Sequence, residues 1–145
     1  VYEKMGAGLI AVETVTWNAV ENYGVVDATE VTERVNRIHR LVEKPAKEQA
    51  PSNLTIVGRY ILPSEIFQIL EKTRPEARGE IQLTDALMTL LRDYEVFAYE
   101  FDVVRYDGGT PMGLLRASLA FALERDDTSQ EAIEILREFQ NRTGP

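Results

Sequence analysis

The 145-residue chain contains no cysteine, which excludes a disulfide framework and a thiolate metal site, and its 44% hydrophobic content is enough for one core. Its net charge of −8 argues against a nucleic-acid partner, because binding to a phosphate backbone needs a basic surface. No stretch approaches the roughly 20 consecutive apolar residues of a membrane span, so we expect a cytoplasmic protein with no membrane partner.

Apolar runs of strand length alternate with helical patterns, which predicts an α/β fold with a mostly buried sheet. The first residues, 1–6, are typical of the last turn of a helix that Gly6 ends. The predicted strands lie at residues 8–16, 25–26, 35–43 and 55–62. A further stretch, residues 94–106, is expected to form two short strands or one strand bent at Asp102.

Four helices are predicted after the fourth strand. Ser64 is expected to cap the first of them, and Thr128 and Glu131 form a capping box at the start of the last. Helical spacing places these apolar residues on one face of each helix in turn: Ile66, Phe67, Ile69 and Leu70; Leu83, Leu87, Leu90 and Leu91; Met112, Leu115, Leu119 and Leu123; Ala132, Ile135, Leu136 and Phe139.

An acid and a base stand side by side where the third predicted strand ends. Alternation along a strand predicts that Glu43 and Lys44 point to opposite faces of the sheet, and Pro45 cannot donate the next hydrogen bond of the ladder. Ligands of α/β proteins commonly bind where strands end, so this pair is a candidate ligand site. A solvated strand end is the alternative interpretation of the same residues.

Five sequence blocks give the chain a resemblance to a known family. In chain order they are ENYGVVD at 21–27, VEKP at 42–45, APSN at 50–53 leading into VGRYIL at 57–62, GEIQLTDA at 79–86, and RYDGGT at 105–110. Over about residues 8–125 the chain resembles the C-terminal half of the bacterial UTP:glucose-1-phosphate uridylyltransferases, also called UDP-glucose pyrophosphorylases. The Gly-rich nucleotide loop of that family does not occur in this sequence, and no Met stands at position 1. We therefore interpret the chain as part of a longer protein.

The resemblance implies a fold, a domain organisation, a reaction and an oligomeric parent protein. The fold is the second half of a nucleotide-diphospho-sugar transferase, which is Rossmann-like with a mixed sheet and flanking helices. Residues 1–145 are then the C-terminal, sugar-phosphate-binding portion of a single nucleotidyltransferase domain whose nucleotide-loop half is absent. The full-length parent is expected to be a homo-oligomer that makes UDP-glucose and pyrophosphate from UTP and glucose-1-phosphate, and this part alone is expected to be inactive.

The resemblance also assigns residues to the substrate site. Lys44 is the predicted catalytic residue that holds the sugar phosphate, and Glu43 is predicted to accept hydrogen bonds from sugar hydroxyls. Lys44, Arg59 and Arg105 are expected to supply local positive charge in an acidic chain. The residues predicted to shape or border the sugar pocket are Gly24, Asn53, Ile56 and Val57. Two of these have purely structural alternatives, because glycine permits a positive φ in a turn and asparagine is a common turn former.

Asp107 is the predicted metal ligand. Asp-Gly is a turn signal, so a tight turn is the alternative interpretation of this position. A carboxylate at a strand end, followed by Gly108 and Gly109, can also approach a hard divalent cation. The resemblance implies that Asp107 binds Mg²⁺.

Two other functions compete with this one. A thymidylyl- or cytidylyltransferase relative would also contain the Glu-Lys-Pro and Tyr-Asp-Gly elements. A non-catalytic sugar-phosphate-binding or assembly domain would retain the same half of the fold for oligomerisation. His39, the only histidine, is expected to be a solvated or half-buried strand residue without a catalytic role.

Overall fold

The computed structural model describes residues 2–75, 79–102, 104–106 and 108–142. The chain divides into two compact units, Val1–Asp102 and Val103–Pro145. The first unit contains the sheet and the second contains the last two helices. Whether both belong to one domain stays a prediction. In the described parts of the chain, no helix is long and apolar enough to cross a membrane.

The sheet of the first unit is mixed and closes on itself. Its strands are β1 (Gly8–Thr14), β2 (Gly24–Thr32), β3 (Val35–Glu43), β4 (Leu54–Ile61) and β5 (Val96–Glu100). They are hydrogen-bonded in the order β1-β4-β2-β3-β5, and β5 returns to β1. The β1–β5 pair is parallel and the other pairs are antiparallel.

Three helices belong to the first unit: α1 (Tyr2–Met5), α2 (Ile66–Lys72) and α3 (Leu83–Leu90). The predicted helix end at Gly6 is confirmed, since Gly6 has a φ of +61° and its N–H donates to Tyr2 O at 2.9 Å. Helix α3 packs against β3, helix α2 packs against α3, and both helices contribute to one apolar core with the sheet. The buried core residues are Ile10, Val12, Val26, Ile38, Leu41, Ile66, Ala86, Leu87, Leu90, Val96 and Ala98.

The second unit contains α4 (Pro111–Glu124) and α5 (Ser129–Arg142). Thr110 caps α4, because its hydroxyl accepts a hydrogen bond from Gly113 N at 3.0 Å, and Pro111 occupies the first helical position. The hydroxyl of Thr128 donates to Ala122 O at 2.8 Å and so ties the start of α5 to the end of α4.

Several element predictions need correction. Strand β2 has nine residues where two were predicted, because its polar outer half pairs with β3. Residues 94–102 contain one strand, β5, and α2 begins at Ile66 with no side-chain cap from Ser64. Phe67 is 69% exposed and does not join the predicted apolar stripe, whose other residues lie in the core (Ile66) or pack against it (Ile69 and Leu70).

Candidate functional site

Three strand ends meet at one edge of the first unit. Gly24, at the start of β2, pairs with Glu43, at the end of β3. The next residue, Val25, pairs with Thr55 near the start of β4. This topology brings together four of the residues singled out in the sequence, namely Gly24, Glu43, Lys44 and Ile56.

The carboxylate of Glu43 is anchored from helix α3. Thr84, a buried residue in the first turn of that helix, donates its hydroxyl to Glu43 Oε2 at 2.7 Å. The other oxygen, Oε1, lies 3.8 Å from Lys44 Nζ, and the Glu43 side chain remains 35% exposed. A carboxylate that is held on one side and open to solvent on the other can accept hydrogen bonds from a bound polyol.

Gly24 leaves space that a side chain at this position would crowd. A Cβ at this position would lie 3.2 Å from both Glu43 Oε2 and Ile56 Cδ1, which is tighter than most real Cβ contacts. Its backbone is outside the positive-φ region, which the described glycines Gly6, Gly58 and Gly79 occupy. The turn interpretation of Gly24 is therefore wrong, and close approach of neighbouring groups explains the glycine.

The prediction that Lys44 and Glu43 point to opposite faces of the sheet is wrong. The φ of +41° at Lys44 ends the strand alternation, so the Lys44 ammonium returns to within 3.8 Å of the Glu43 carboxylate. The backbone N–H of Lys44 donates to Tyr23 O at 3.0 Å. The side chain is 62% exposed, and at this distance and exposure the ion pair with Glu43 is weak. The ammonium can therefore bind an external anion.

Thr84 belongs to this cluster through its hydrogen bond, and Tyr60 on β4 is influenced by the charge of Glu43, although the sequence did not single out either as a site residue. Partial burial raises the pKa of the Tyr60 hydroxyl above its usual value although the residue is 36% exposed, and the negative charge of Glu43 raises this pKa further. Both residues lie in the sequence blocks that carry the family resemblance, which was the available signal.

Asn53 and Val57 lie close to the cluster in sequence. The Asn53 amide donates to Val15 O at 2.7 Å, and Val15 N donates to Asn53 O at 3.0 Å, so Asn53 ties the end of β1 to the start of β4. Val57 is half-buried beside Ile56 in β4. Their predicted roles in a sugar pocket stay predictions.

Two further polar residues have local partners. His39 is exposed on β3, and its Nε2 lies 2.8 Å from Thr29 Oγ1, in keeping with a solvated strand residue. Arg59 donates to Gly58 O at 3.2 Å on the exposed part of β4.

The predicted metal ligand, Asp107, lies outside the described residues. Within the described ranges, no group of three or more His, Cys, Asp or Glu side chains could hold a metal ion. The magnesium site stays a prediction from the family resemblance.

Comparisons with known proteins support the family resemblance of the sequence blocks. The model of the nucleotidyl transferase family matches residues 2–124. A protein named UTP--glucose-1-phosphate uridylyltransferase from Staphylococcus haemolyticus is 41% identical over 138 residues, which are 95% of this chain and 48% of that protein. The structure of a UTP-bound UGPase from Acinetobacter baumannii matches with a TM-score of 0.82 and 37% identity, over 94% of this chain and 47% of that one. A crystal structure of a UDP-glucose pyrophosphorylase complexed with UDP-glucose matches with a TM-score of 0.78 and 43% identity, over 86% of this chain and 47% of that one.

These matches confirm the family resemblance and the α/β fold class that it implied. The chain spans about half the length of the relatives that it matches.

Proposed function

This chain belongs to the nucleotidyl transferase family, and we propose that it forms the sugar-phosphate-binding part of a UTP:glucose-1-phosphate uridylyltransferase. The observation that carries the proposal is the anchored Glu43 carboxylate next to the exposed Lys44 ammonium, with Gly24 leaving space beside them. A hydroxyl-rich ring that bears a phosphate fits this pair, because its hydroxyls can donate to the carboxylate and its phosphate can bind the ammonium.

The residues act by positioning and by charge. Glu43 accepts hydrogen bonds from sugar hydroxyls, and its hydrogen bond from Thr84 fixes the carboxylate for this task. The Lys44 ammonium binds the phosphate of glucose-1-phosphate and orients one of its oxygens. That oxygen attacks the α-phosphorus of UTP, the bond from the α-phosphorus to the bridging oxygen breaks, and pyrophosphate leaves. No covalent intermediate with the protein is needed.

The metal and the assembly are further parts of the proposal. Mg²⁺ would neutralise charge on the reacting phosphates, and Asp107 is the residue of this chain that the family resemblance assigns to it. The proposed full-length protein is cytoplasmic and homo-oligomeric.

The activity can be tested in a hybrid enzyme. In this hybrid enzyme the 138-residue segment of the Staphylococcus haemolyticus relative that matches is replaced by the present chain. We expect the folded hybrid enzyme to form UDP-glucose and pyrophosphate from UTP and glucose-1-phosphate, measured by chromatography and by coupled pyrophosphate release. The unaltered relative serves as the positive control.

A Lys44→Ala variant of the hybrid enzyme tests the role of the cation. We expect its kcat/KM for glucose-1-phosphate to fall by about 10²-fold, the typical effect of losing one preorganised charged donor. Lys72→Ala is the matched control, since Lys72 is an exposed residue at the end of α2. A folded hybrid enzyme that has full activity without the Lys44 ammonium would contradict the proposal.

A further inference from the structure

We infer that Lys47 and Asn18 form a latch that positions Lys44, so that two residues outside the site set the direction of its ammonium. The inference rests on the proposed function, because it assigns a role to these residues in binding the sugar phosphate. Neither belongs to the sequence blocks on which the family resemblance depends.

The backbone of Lys44 needs external support. Its φ of +41° lies in the left-handed region, which side chains with a Cβ rarely adopt. The following residue is Pro45, and the residue before a proline normally has an extended conformation with negative φ. Such a conformation persists only where the surrounding structure fixes it.

Contacts to one loop provide that support. The loop consists of residues 15–23, and Tyr23 O accepts the hydrogen bond from Lys44 N at 3.0 Å. Three residues beyond Lys44, Lys47 Nζ donates to Asn18 Oδ1 at 2.7 Å. The backbone N–H of Lys47 also donates to Glu21 Oε1 at 3.4 Å. The segment from Lys44 to Lys47 is therefore fastened to the same loop at both of its ends.

The Lys47–Asn18 contact is the adjustable part of this arrangement. It is short and charge-assisted, but both residues are exposed, so its loss should disturb the segment without unfolding the protein. Freeing the segment would let Lys44 leave its left-handed conformation, and its ammonium would have to be ordered again when the phosphate binds. This additional ordering should lower kcat/KM for glucose-1-phosphate and leave the KM for UTP unchanged.

Asn18→Ala in the hybrid enzyme is the first test, because it removes the acceptor without changing any charge. We expect kcat/KM for glucose-1-phosphate to fall about threefold to tenfold, with an unchanged KM for UTP and an unchanged melting temperature. The matched control is Asn22→Ala, since the Asn22 amide donates to Ala19 O at 3.3 Å, within the same loop. Equal losses in both variants, or no loss in Asn18→Ala, would overturn the inference.

Lys47 variants separate the contact from the charge. Lys47→Arg keeps a cationic donor and should retain most of the activity, whereas Lys47→Met should match Asn18→Ala. If kcat/KM for glucose-1-phosphate falls in Lys47→Met but not in Asn18→Ala, the charge of Lys47 acts directly and the inference is overturned.

A double-mutant cycle with Lys44→Ala tests whether the latch acts through Lys44. In the Lys44→Ala background, Asn18→Ala should cause no further loss, and an additive loss would overturn the inference. If Lys44→Ala alone leaves the activity unchanged, the proposed function fails. If Lys44→Ala is damaging and Asn18→Ala is silent, the latch alone fails.

Discussion

The space beside Glu43 depends on the absence of a Cβ atom at Gly24. Gly24→Ala would place a Cβ 3.2 Å from Glu43 Oε2 and 3.2 Å from Ile56 Cδ1. One of these groups must move, and we expect the carboxylate to move because its other side is open to solvent. The KM for glucose-1-phosphate in the hybrid enzyme should rise about tenfold, since small misplacements of positioning groups are costly. Steady-state kinetics with varied glucose-1-phosphate measure this change.

A second substitution identifies the group that moves. Ile56→Val removes the Cδ1 atom but leaves the crowding at Glu43 unchanged. We expect the double variant Gly24→Ala/Ile56→Val to keep the defect. Full recovery in the double variant would assign the defect to Ile56 and contradict displacement of Glu43.

The hydrogen bond from Thr84 to Glu43 has a nearly isosteric test. Thr84→Val removes the hydroxyl that donates to Glu43 Oε2 at 2.7 Å and keeps the shape of the side chain. We expect kcat/KM for glucose-1-phosphate to fall about fivefold to tenfold, because the carboxylate loses its fixed orientation while water partly replaces the donor. Thr84→Ser keeps the hydroxyl and should remain close to the parent. Equal losses in both variants would show that packing matters and the hydrogen bond does not.

At the residue scale, the sequence located part of this site. Glu43 and Lys44 are adjacent in the chain, and the family resemblance added Gly24 and Ile56, which the structure brings together with them. Thr84 was missed because its partner is 41 residues away and a hydrogen bond over that distance leaves no local pattern, so its place in the block at 79–86 was the available signal. The predicted direction of the Lys44 side chain was wrong, because strand alternation assumes a negative φ at each residue and Lys44 has a φ of +41°.

At the scale of elements, strand β4 contains an irregularity that depends on glycine. Its register with β1 shifts between Ile10↔Tyr60 and Val12↔Ile56, and Gly58 lies in the shifted segment with a φ of +78°. A residue with a Cβ is disfavoured there, because the left-handed backbone conformation is strained for it. No atom lies within 4 Å of the Cβ position, so the strain is not a clash with a neighbouring group. The irregularity separates Ile56, which adjoins Gly24, from Tyr60, which is within electrostatic reach of Glu43.

Gly58→Ala should therefore destabilise the fold without steric clash. We expect the free energy of unfolding to fall by about 1 kcal/mol, measured by urea denaturation of the hybrid enzyme and the matched parent. Arg59→Ala, at the next exposed position, is the control and should change stability by less than about 0.5 kcal/mol. If the urea concentration at the unfolding midpoint is unchanged in Gly58→Ala, the strand must relax to a negative φ at this position.

The elements could be predicted to different degrees. Strand β3 was predicted with its observed ends because its apolar residues alternate and Glu-Lys-Pro follows it. The outer half of β2 is polar and gave no such signal, since it is stabilised by pairing with β3. The predicted apolar faces of α4 and α5 include residues that stay exposed in the second unit, such as Met112 at 71% and Phe139 at 56%. Helical periodicity identifies an apolar face but does not identify what covers it.

At the scale of the whole molecule, the family and the fold class were predictable because five separate blocks occur in the order of the family. The closure of the sheet was not predictable, since it depends on β5 returning to β1 across more than 80 residues. The net negative charge of the chain is compatible with the proposed anionic substrate, because the proposed binding depends on the local cation Lys44 and not on the net charge.

The last prediction concerns the isolated chain. Nucleotidyl transfer depends on holding two substrates in line, and the proposed site would bind the sugar phosphate alone. The sequence contains no Gly-rich nucleotide loop, and the chain spans about half the length of its relatives. We therefore expect no UDP-glucose from the purified chain with UTP, glucose-1-phosphate and Mg²⁺, under conditions in which the hybrid enzyme is active. The Lys44→Ala form of the same chain, purified in parallel, defines the background from host enzymes. Turnover by the chain that disappears in Lys44→Ala would show that these residues also bind and orient the nucleotide.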